Sequence, residues 1–235
     1  MSELAFPKNW LQNDSLGELI SSELRLQIIN GEIEEGSVLS ENGISNLFET
    51  SRSPVREAFK MLEIEGLVMP GRMGVTVQGL DENDIKELYD VRFLLEKFCI
   101  QQVVEEFDQK KAKEFYKIIE FMRFHAEFKD YEEFAYQDLL FHEKLIRGAQ
   151  HNRVLHFWKN IRNIILCLLL VATKERFKEG QDALEGLINN HRLLIDAMVK
   201  KDGSKINLWL DEHLKDTNAT VMNAYLKTSK IKQKS

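Results

Sequence analysis

Proline is almost absent from this chain, with three residues in 235, and there are only twelve glycines. So few breakers exclude a loop-rich architecture and leave room for long helices. Cysteine is as sparse: Cys99 and Cys167 are the two. Each sits in an apolar helical pattern, so no disulfide framework is expected and a reducing, cytoplasmic setting fits. No charged N-terminal segment leads into an apolar run, so no secretory signal is expected. Long hydrophobic runs are missing too. The most apolar stretch, Ile164 to Ala172, is too short to cross a bilayer and reads as a buried helix, with no membrane partner. Basic charge is the last shortage. The net charge is −6, and the deficit falls in residues 1–78, where six Lys and Arg face twelve Asp and Glu. That composition rules out a broad positive surface for nucleic acid, so any such contact must rest on a few placed cations.

What remains is globular, 43% hydrophobic and 30% charged, enough for one large domain or a small one plus a medium one. The pattern divides the chain in two. After an arm from Met1 to Asn13 carrying Pro7 and Trp10, Ser15 and Glu18 form an S-x-x-E capping box. It opens a helix with Leu16, Leu19, Ile20, Leu24 and Ile28 at helical spacing. Gly31 and Gly36 bracket a turn. A second helix begins near Ser40 and carries Ile44, Leu47 and Phe48, and Glu49-Thr50 makes a tight turn. Ser53-Pro54 then opens a third, with proline at the first helical position, where its missing N–H costs nothing. Val55, Ala58, Phe59 and Leu62 give that helix an i, i+3, i+4, i+7 core stripe, and Gly66 ends it. Leu67-Val68-Met69 and Val75-Thr76-Val77, joined across Pro70 to Gly74, read as a hairpin.

Three helices and a hairpin in this order make a winged helix-turn-helix, whose third helix enters a DNA major groove. Arg52 and Arg56 lie four apart at and before the start of that helix, off the core face. With Ser53, and Ser51 assisting, they can reach base edges and phosphates. Arg72 at the hairpin tip can reach the adjacent groove or backbone. Arg25 and Lys60 are left outside this set. The bland alternative is a three-helix subdomain with solvated arginines, and on spacing alone the two readings weigh about equally.

A second constellation lies beyond Asp81, which caps a helix carrying Ile85, Leu88, Leu95 and Cys99. Arg92 falls on that same stripe. Asp138 and His142 are one turn apart and share a face with Phe134 and Leu145. His191 lines up with Leu187, Leu194 and Met198, and His213 with Ile206, Leu210 and Thr217. Each polar group occupies a position where its helix should be apolar, and leaving one unpaired there costs roughly 1–3 kcal/mol. Singly, each reads as a satisfied core residue. Together they read as Asp138, His142, His191 and His213 converging on one divalent transition metal inside a helical bundle, Zn²⁺ first, with Ni²⁺ or Mn²⁺ as the other fits. Arg92, an inward cation near that metal, can clamp a carboxylate or pair internally with Glu96. His125, His151 and His156 match no ligand pattern and are read as surface or helix-end residues.

The run Gly31-x4-Gly36-x2-Leu39-Ser40-Glu41, then Ser51-Arg52-Ser53-Pro54-Val55-Arg56-Glu57-Ala58, then Glu65-Gly66-Leu67, resembles the winged helix-turn-helix of the GntR family of bacterial regulators. Tyr89-Asp90-Val91-Arg92 and Asp138-x3-His142 resemble the all-helical effector domain of its FCD branch. Where family members carry an arginine early in the second helix, this chain has Asn42. The resemblance implies a DNA-binding repressor, adds Gly74 beside Arg72 to the DNA-contacting set, and implies metal on the Asp-x3-His…His…His pattern. It also implies a small organic acid, gluconate or a related sugar acid, as effector.

The expected organisation is mainly α: a winged helix-turn-helix over residues 1–78, a linker at 79–82, an all-α FCD-like helical bundle over 83–226 binding metal and effector, and a frayed basic tail at 227–235 with Lys227, Lys230, Lys232 and Lys234. A homodimer would read an inverted repeat of double-stranded DNA. Effector binding would change operator affinity through the linker. A metal-dependent hydrolase using the same Asp/His site is the alternative from another class. It needs a general base, and Glu143, next to His142, points off the shared face. A plain helical interaction protein leaves the buried polar groups unexplained.

Overall fold

The structure, a computed structural model, describes Phe6, Pro7, Trp10, Leu11 and residues 15–232, with side chains as far as Tyr225. The chain forms two compact units, one built on the residues up to Asp81 and one spanning Glu82–Leu226.

In the first unit, α1 (Leu16–Ile29) is capped by the Ser15 hydroxyl, which accepts from the Glu18 backbone N–H at 3.0 Å. α2 spans Glu41–Leu47 and α3 Arg52–Ile64. The expected stripe of α3, Val55, Ala58, Phe59 and Leu62, is its buried set, and burying each larger side chain contributes about 1.5–3 kcal/mol. Helix α3 starts two residues earlier than the proline suggests. Ser51 occupies the cap, so Pro54 is the third helical residue. Its missing N–H is still harmless, because the first four N–H groups of a helix have no intrahelical partner. At the other end Gly66 adopts φ 75°, the Leu67 N–H bonds the Leu62 carbonyl, and the Gly66 N–H bonds that of Glu63. That is a Schellman stop, which favours glycine.

The hairpin has one strand more than its sequence announces. β1 (Val38–Ser40) and β2 (Val68–Gly71) flank β3 (Gly74–Val77), all antiparallel. Gly71 pairs with Gly74, which narrows the turn to Arg72-Met73. Gly74 also pairs with Ser40 at φ 150°, and a Cβ there would sit 2.0 Å from the Leu39 carbonyl oxygen. A side chain is therefore excluded by β1 itself. The N-terminal arm is no free strand: Phe6 and Trp10 are buried edge to face at 5.9 Å, and the Phe6 N–H bonds the Glu23 carboxylate at 2.9 Å.

The second unit is a helical bundle: α4 (Glu82–Val103), α5 (Gln109–Glu127), α6 (Tyr131–Gly148), α7 (Asn152–Glu179), α8 (Gln181–Val199) and α9 (Gly203–Lys232), with a 3₁₀ turn at Val104–Glu106. α4 begins at Glu82, so the last residue of the expected linker is helical. α9 runs through Lys232, which replaces the expected frayed end as far as the backbone is described; the lysine side chains of the tail and residues 233–235 lie outside the described residues. The apolar run Ile164 to Ala172 is buried on every face of α7, as a central bundle helix requires. The face of α4 is rotated from expectation. Ile85, Tyr89, Arg92, Glu96 and Cys99 are its buried side, while Leu88 and Leu95 are only half-buried.

Candidate metal centre and nucleic-acid interface

In the first unit, the N-terminus of α2, the outer face of α3 and the hairpin tip enclose a cleft of about 550 Å³ lined by Asn42, Arg52, Arg56, Lys60, Arg72 and Gly74, among others. Arg52, Arg56 and Lys60 follow one another every four residues, one helical turn apart. Lys60 was discounted on sequence grounds, but its four-residue spacing from Arg56 was the available signal. Arg25 stays out: it is 1% exposed and gripped by the Glu65 carboxylate through Nε at 2.6 Å and Nη2 at 2.7 Å. Ser51 and Ser53 are exposed at the start of α3, and the Ser51 hydroxyl makes no capping bond. Arg56 Nε is 2.8 Å from Glu41 Oε1 on the cleft wall. The hydrogen bond and the charge of Arg56 hold the Glu41 carboxyl below its usual range.

In the second unit, one ligand atom from each of Asp138, His142, His191 and His213 falls within a 4.8 Å cluster, all four residues buried. The i, i+4 spacing on α6 sets Asp138 and His142 side by side, while α8 and α9 supply the other two. His142 Nδ1 is 2.7 Å from the Glu96 carboxylate, and His191 Nδ1 is 2.9 Å from the Leu187 carbonyl. Both partners are acceptors, so both Nδ1 atoms carry the proton and a neutral ring then has a bare lone pair on Nε2. Yet His191 Nε2 lies 2.8 Å from Asp138 Oδ1, and His142 Nε2 lies 3.0 Å from His213 Nε2. On a neutral ring the His191 lone pair faces the Asp138 carboxylate with no proton between them, and His213, whose Nδ1 has no partner among the described residues, meets His142 with Nε2 either protonated or bare. Such an arrangement is stable around a cation, and one carboxylate with three imidazoles is a donor set for a divalent transition metal. The residues fit the metal.

Without a metal, the electrostatics instead favour protons shared among the four groups. Burial works against the charge of Asp138, but the His191 and His142 rings overcome it and hold the carboxyl well below its usual range. Burial and the Arg92 charge oppose protonation of His142, but Glu96 and Asp138 outweigh them and hold the ring above its usual imidazole range. Burial, with the His191 and His142 charges beside it, pushes His213 well below the usual imidazole range.

Arg92 and Glu96, both 0% exposed, pair through Nε and Oε1 at 2.7 Å. The pairing uses one edge of the guanidinium, and Nη1 and Nη2 have no partner among the described residues. Both sequence readings of Arg92 therefore hold atoms in reserve: the internal salt bridge exists, and two buried donors remain free. Glu96, which the sequence reading left as a counter-ion of Arg92, also joins Arg92 to His142. Glu143 is turned away from the cluster, bound by Arg162 Nε at 2.6 Å and by Arg147, so the hydrolase alternative lacks its base. His125 bonds Asp130 at the end of α5 and His151 caps α7, both helix-end roles as expected.

Both units match known families. The family model described as bacterial regulatory proteins, gntR family, matches residues 16–77, and the FCD domain model matches residues 87–216. The gluconate operon transcriptional repressor of Bacillus subtilis (strain 168) is 37% identical over 224 residues, covering 95% of this chain and 92% of that protein. The chain belongs to the GntR family of transcriptional regulators, in its FCD branch. This GntR-family regulator is also 26% identical over 204 residues to the transcriptional repressor RspR of Escherichia coli (strain K12), covering 84% of this chain and 85% of that one. Its fold is shared with E. coli McbR/YncC at a TM-score of 0.70 and 20% identity, covering 91% of this chain and all of the other. As a GntR-family transcriptional regulator, the chain is not an enzyme.

Proposed function

We propose that the regulator is a cytoplasmic homodimeric repressor released from its operator by a sugar acid of the gluconate type. Asp138, His142, His191 and His213 would hold the metal, Zn²⁺ first, and the bound ion would offer Lewis-acid positions to carboxylate and hydroxyl oxygens. Arg92 would take the carboxylate through Nη1 and Nη2. The observation that carries the reading is this buried guanidinium with two unanswered donors beside a cation-ready cluster. Charge balance supports it. Asp138 and Glu96 are negative and Arg92 positive, so a divalent ion leaves one net positive charge out of water, and a monoanion cancels it. The name of the Bacillus relative supplies gluconate.

The route to DNA runs through α4. It carries Arg92 and Glu96 and starts directly after the Gly79–Asp81 joint. The Gln78 and Gly79 N–H groups both bond the Leu67 carbonyl, at 2.9 and 3.3 Å, immediately beyond the end of α3. Effector that favours one position of α4 would act through that joint on the helix presenting Ser51, Arg52, Ser53, Arg56 and Lys60, with Arg72 and Gly74 on the wing. It can do so only by binding the two states unequally. A second copy, which an inverted repeat requires, would cover the exposed apolar stripe Val91, Leu94 and Phe98 on α4 with Phe157 on α7.

Gluconate titrated into the complex of metal-loaded protein and operator is the test. Release of DNA is expected, and unchanged DNA affinity at saturating gluconate rejects the effector. His191→Ala should lower metal content and the gluconate response while DNA binding persists.

A further inference from the structure

Three residues at the histidine cluster carry buried polar atoms with no hydrogen-bond partner among the described residues: Tyr89 Oη, Arg92 Nη1 and Nη2, and His213 Nδ1. Tyr89 and Arg92 stand three residues apart on the buried side of α4, with the guanidinium carbon 5.5 Å from the phenol ring centre. Arg92 offers the Tyr89 hydroxyl no hydrogen bond of normal geometry, and Tyr89 is 3% exposed, so bulk water does not serve it either. Arg92, whose guanidinium lies against the Tyr89 ring, links the phenol through Glu96 to His142 of the cluster, and the charge of Asp138 is felt at Tyr89 as well. His213 differs from the other two rings. Its Nε2 faces His142, so in the ligating tautomer its Nδ1 carries a proton that meets no acceptor, whereas His142 and His191 spend theirs on Glu96 and the Leu187 carbonyl.

The three residues set the chemistry of an occupant by subtraction. Two Arg92 donors take the two oxygens of a carboxylate. The Nδ1–H of His213 and the hydroxyl of Tyr89 are left over, and a simple alkanoate has no oxygen for either. An acid with hydroxyls next to its carboxyl does. We infer that Tyr89 is a specificity-determining residue of this regulator, whose hydroxyl, with His213 Nδ1–H, meets the hydroxyl oxygens of the effector and so restricts the site to hydroxy acids. The inference rests on the effector reading above and adds to it the reason a bare carboxylate fails.

Tyr89→Phe removes one oxygen and no ring volume. Calorimetric titration of gluconate and of hexanoate, which has the same carbon count without hydroxyls, into metal-loaded wild type and variant separates the outcomes. Wild type should prefer gluconate. The variant should lose gluconate affinity by roughly 10- to 100-fold, the scale of one buried hydrogen bond, while hexanoate affinity and metal content stay unchanged. The ligand-free variant should melt no lower than wild type, since its unanswered hydroxyl is gone. A variant that binds gluconate as tightly as wild type overturns the Tyr89 assignment and leaves the effector reading intact. Hexanoate affinity falling by the same factor as gluconate also overturns it. Wild type that binds neither acid overturns both.

Discussion

Two arginine–glutamate pairs of nearly equal length do opposite work in this molecule. Arg56 meets Glu41 at 2.8 Å on the rim of the α3 cleft, with its side chain 61% exposed; Arg92 meets Glu96 at 2.7 Å with neither side chain exposed. At the surface, water competes with the pair and neither charge depends on the other, so Arg56 can leave Glu41 for a phosphate at small cost. In the bundle, neither charge can be left alone without a large penalty. The pair is therefore permanent, and it fixes the unused half of a guanidinium and the ring of His142 in place. Distance does not distinguish a contact that is meant to break from one that is meant to hold. Burial does.

The sharpest way to break this contrast is Glu96→Ala. It should lower the stability of the second unit by about 3–5 kcal/mol in urea unfolding, because Arg92 is left charged and uncompensated. It should also weaken metal binding roughly 10- to 100-fold, because His142 loses the partner that sets its tautomer. Unchanged stability would mean that the buried pair is no tighter than the exposed one. Next in size is Arg52→Ala, expected to weaken operator binding by about 1–3 kcal/mol in fluorescence anisotropy if Arg52 reads a base, with the unfolding midpoint unmoved.

A pH experiment comes third. The unfolded chain protonates His213 near its ordinary value of about 6.5, but burial and its histidine neighbours keep the folded ring neutral to well below that. Folding is thus favoured fully above about pH 6.5 and less as the pH falls below it. In chelated protein, His213→Gln should flatten the loss of stability between pH 7.5 and 5.5 relative to wild type; parallel curves would reject the assignment. The smallest expected effect is that of Glu41→Gln: no shift in unfolding midpoint, and operator affinity that rises most at low salt, as Arg56 is released and a negative charge leaves the cleft. A clear loss of stability would put Arg56–Glu41 in the same class as Arg92–Glu96.

Much of this was legible in residue spacing. The stripe Val55, Ala58, Phe59, Leu62 fixed the core face of α3, and the same period brought Asp138 to His142 and put His191 and His213 on inward faces. What escaped has a common cause. Apolar periodicity cannot see a buried ionic pair, so the α4 face was drawn through Leu88 and Leu95 when Tyr89 and Glu96 hold it. β1 is only Val38–Ser40, too short for alternation to register and stabilised by pairing with a strand more than thirty residues away. Lys60 stood outside the expected set although it continues the four-residue spacing of Arg52 and Arg56, and the cleft that all three line is what groups them.

Ser40 closes β1 and, through its hydroxyl on the Gly43 N–H at 3.0 Å, caps α2. Because Gly74 is pressed against Leu39 and Ser40, the hairpin and the helix pair share a backbone splice with no slack. The gauge between the tip that carries Arg72 and the helix that carries Arg52 is thereby cast into the main chain. On the proposed reading of Arg52 and Arg72, a new operator would be reached by exchanging side chains at the two ends of that gauge rather than by respacing them.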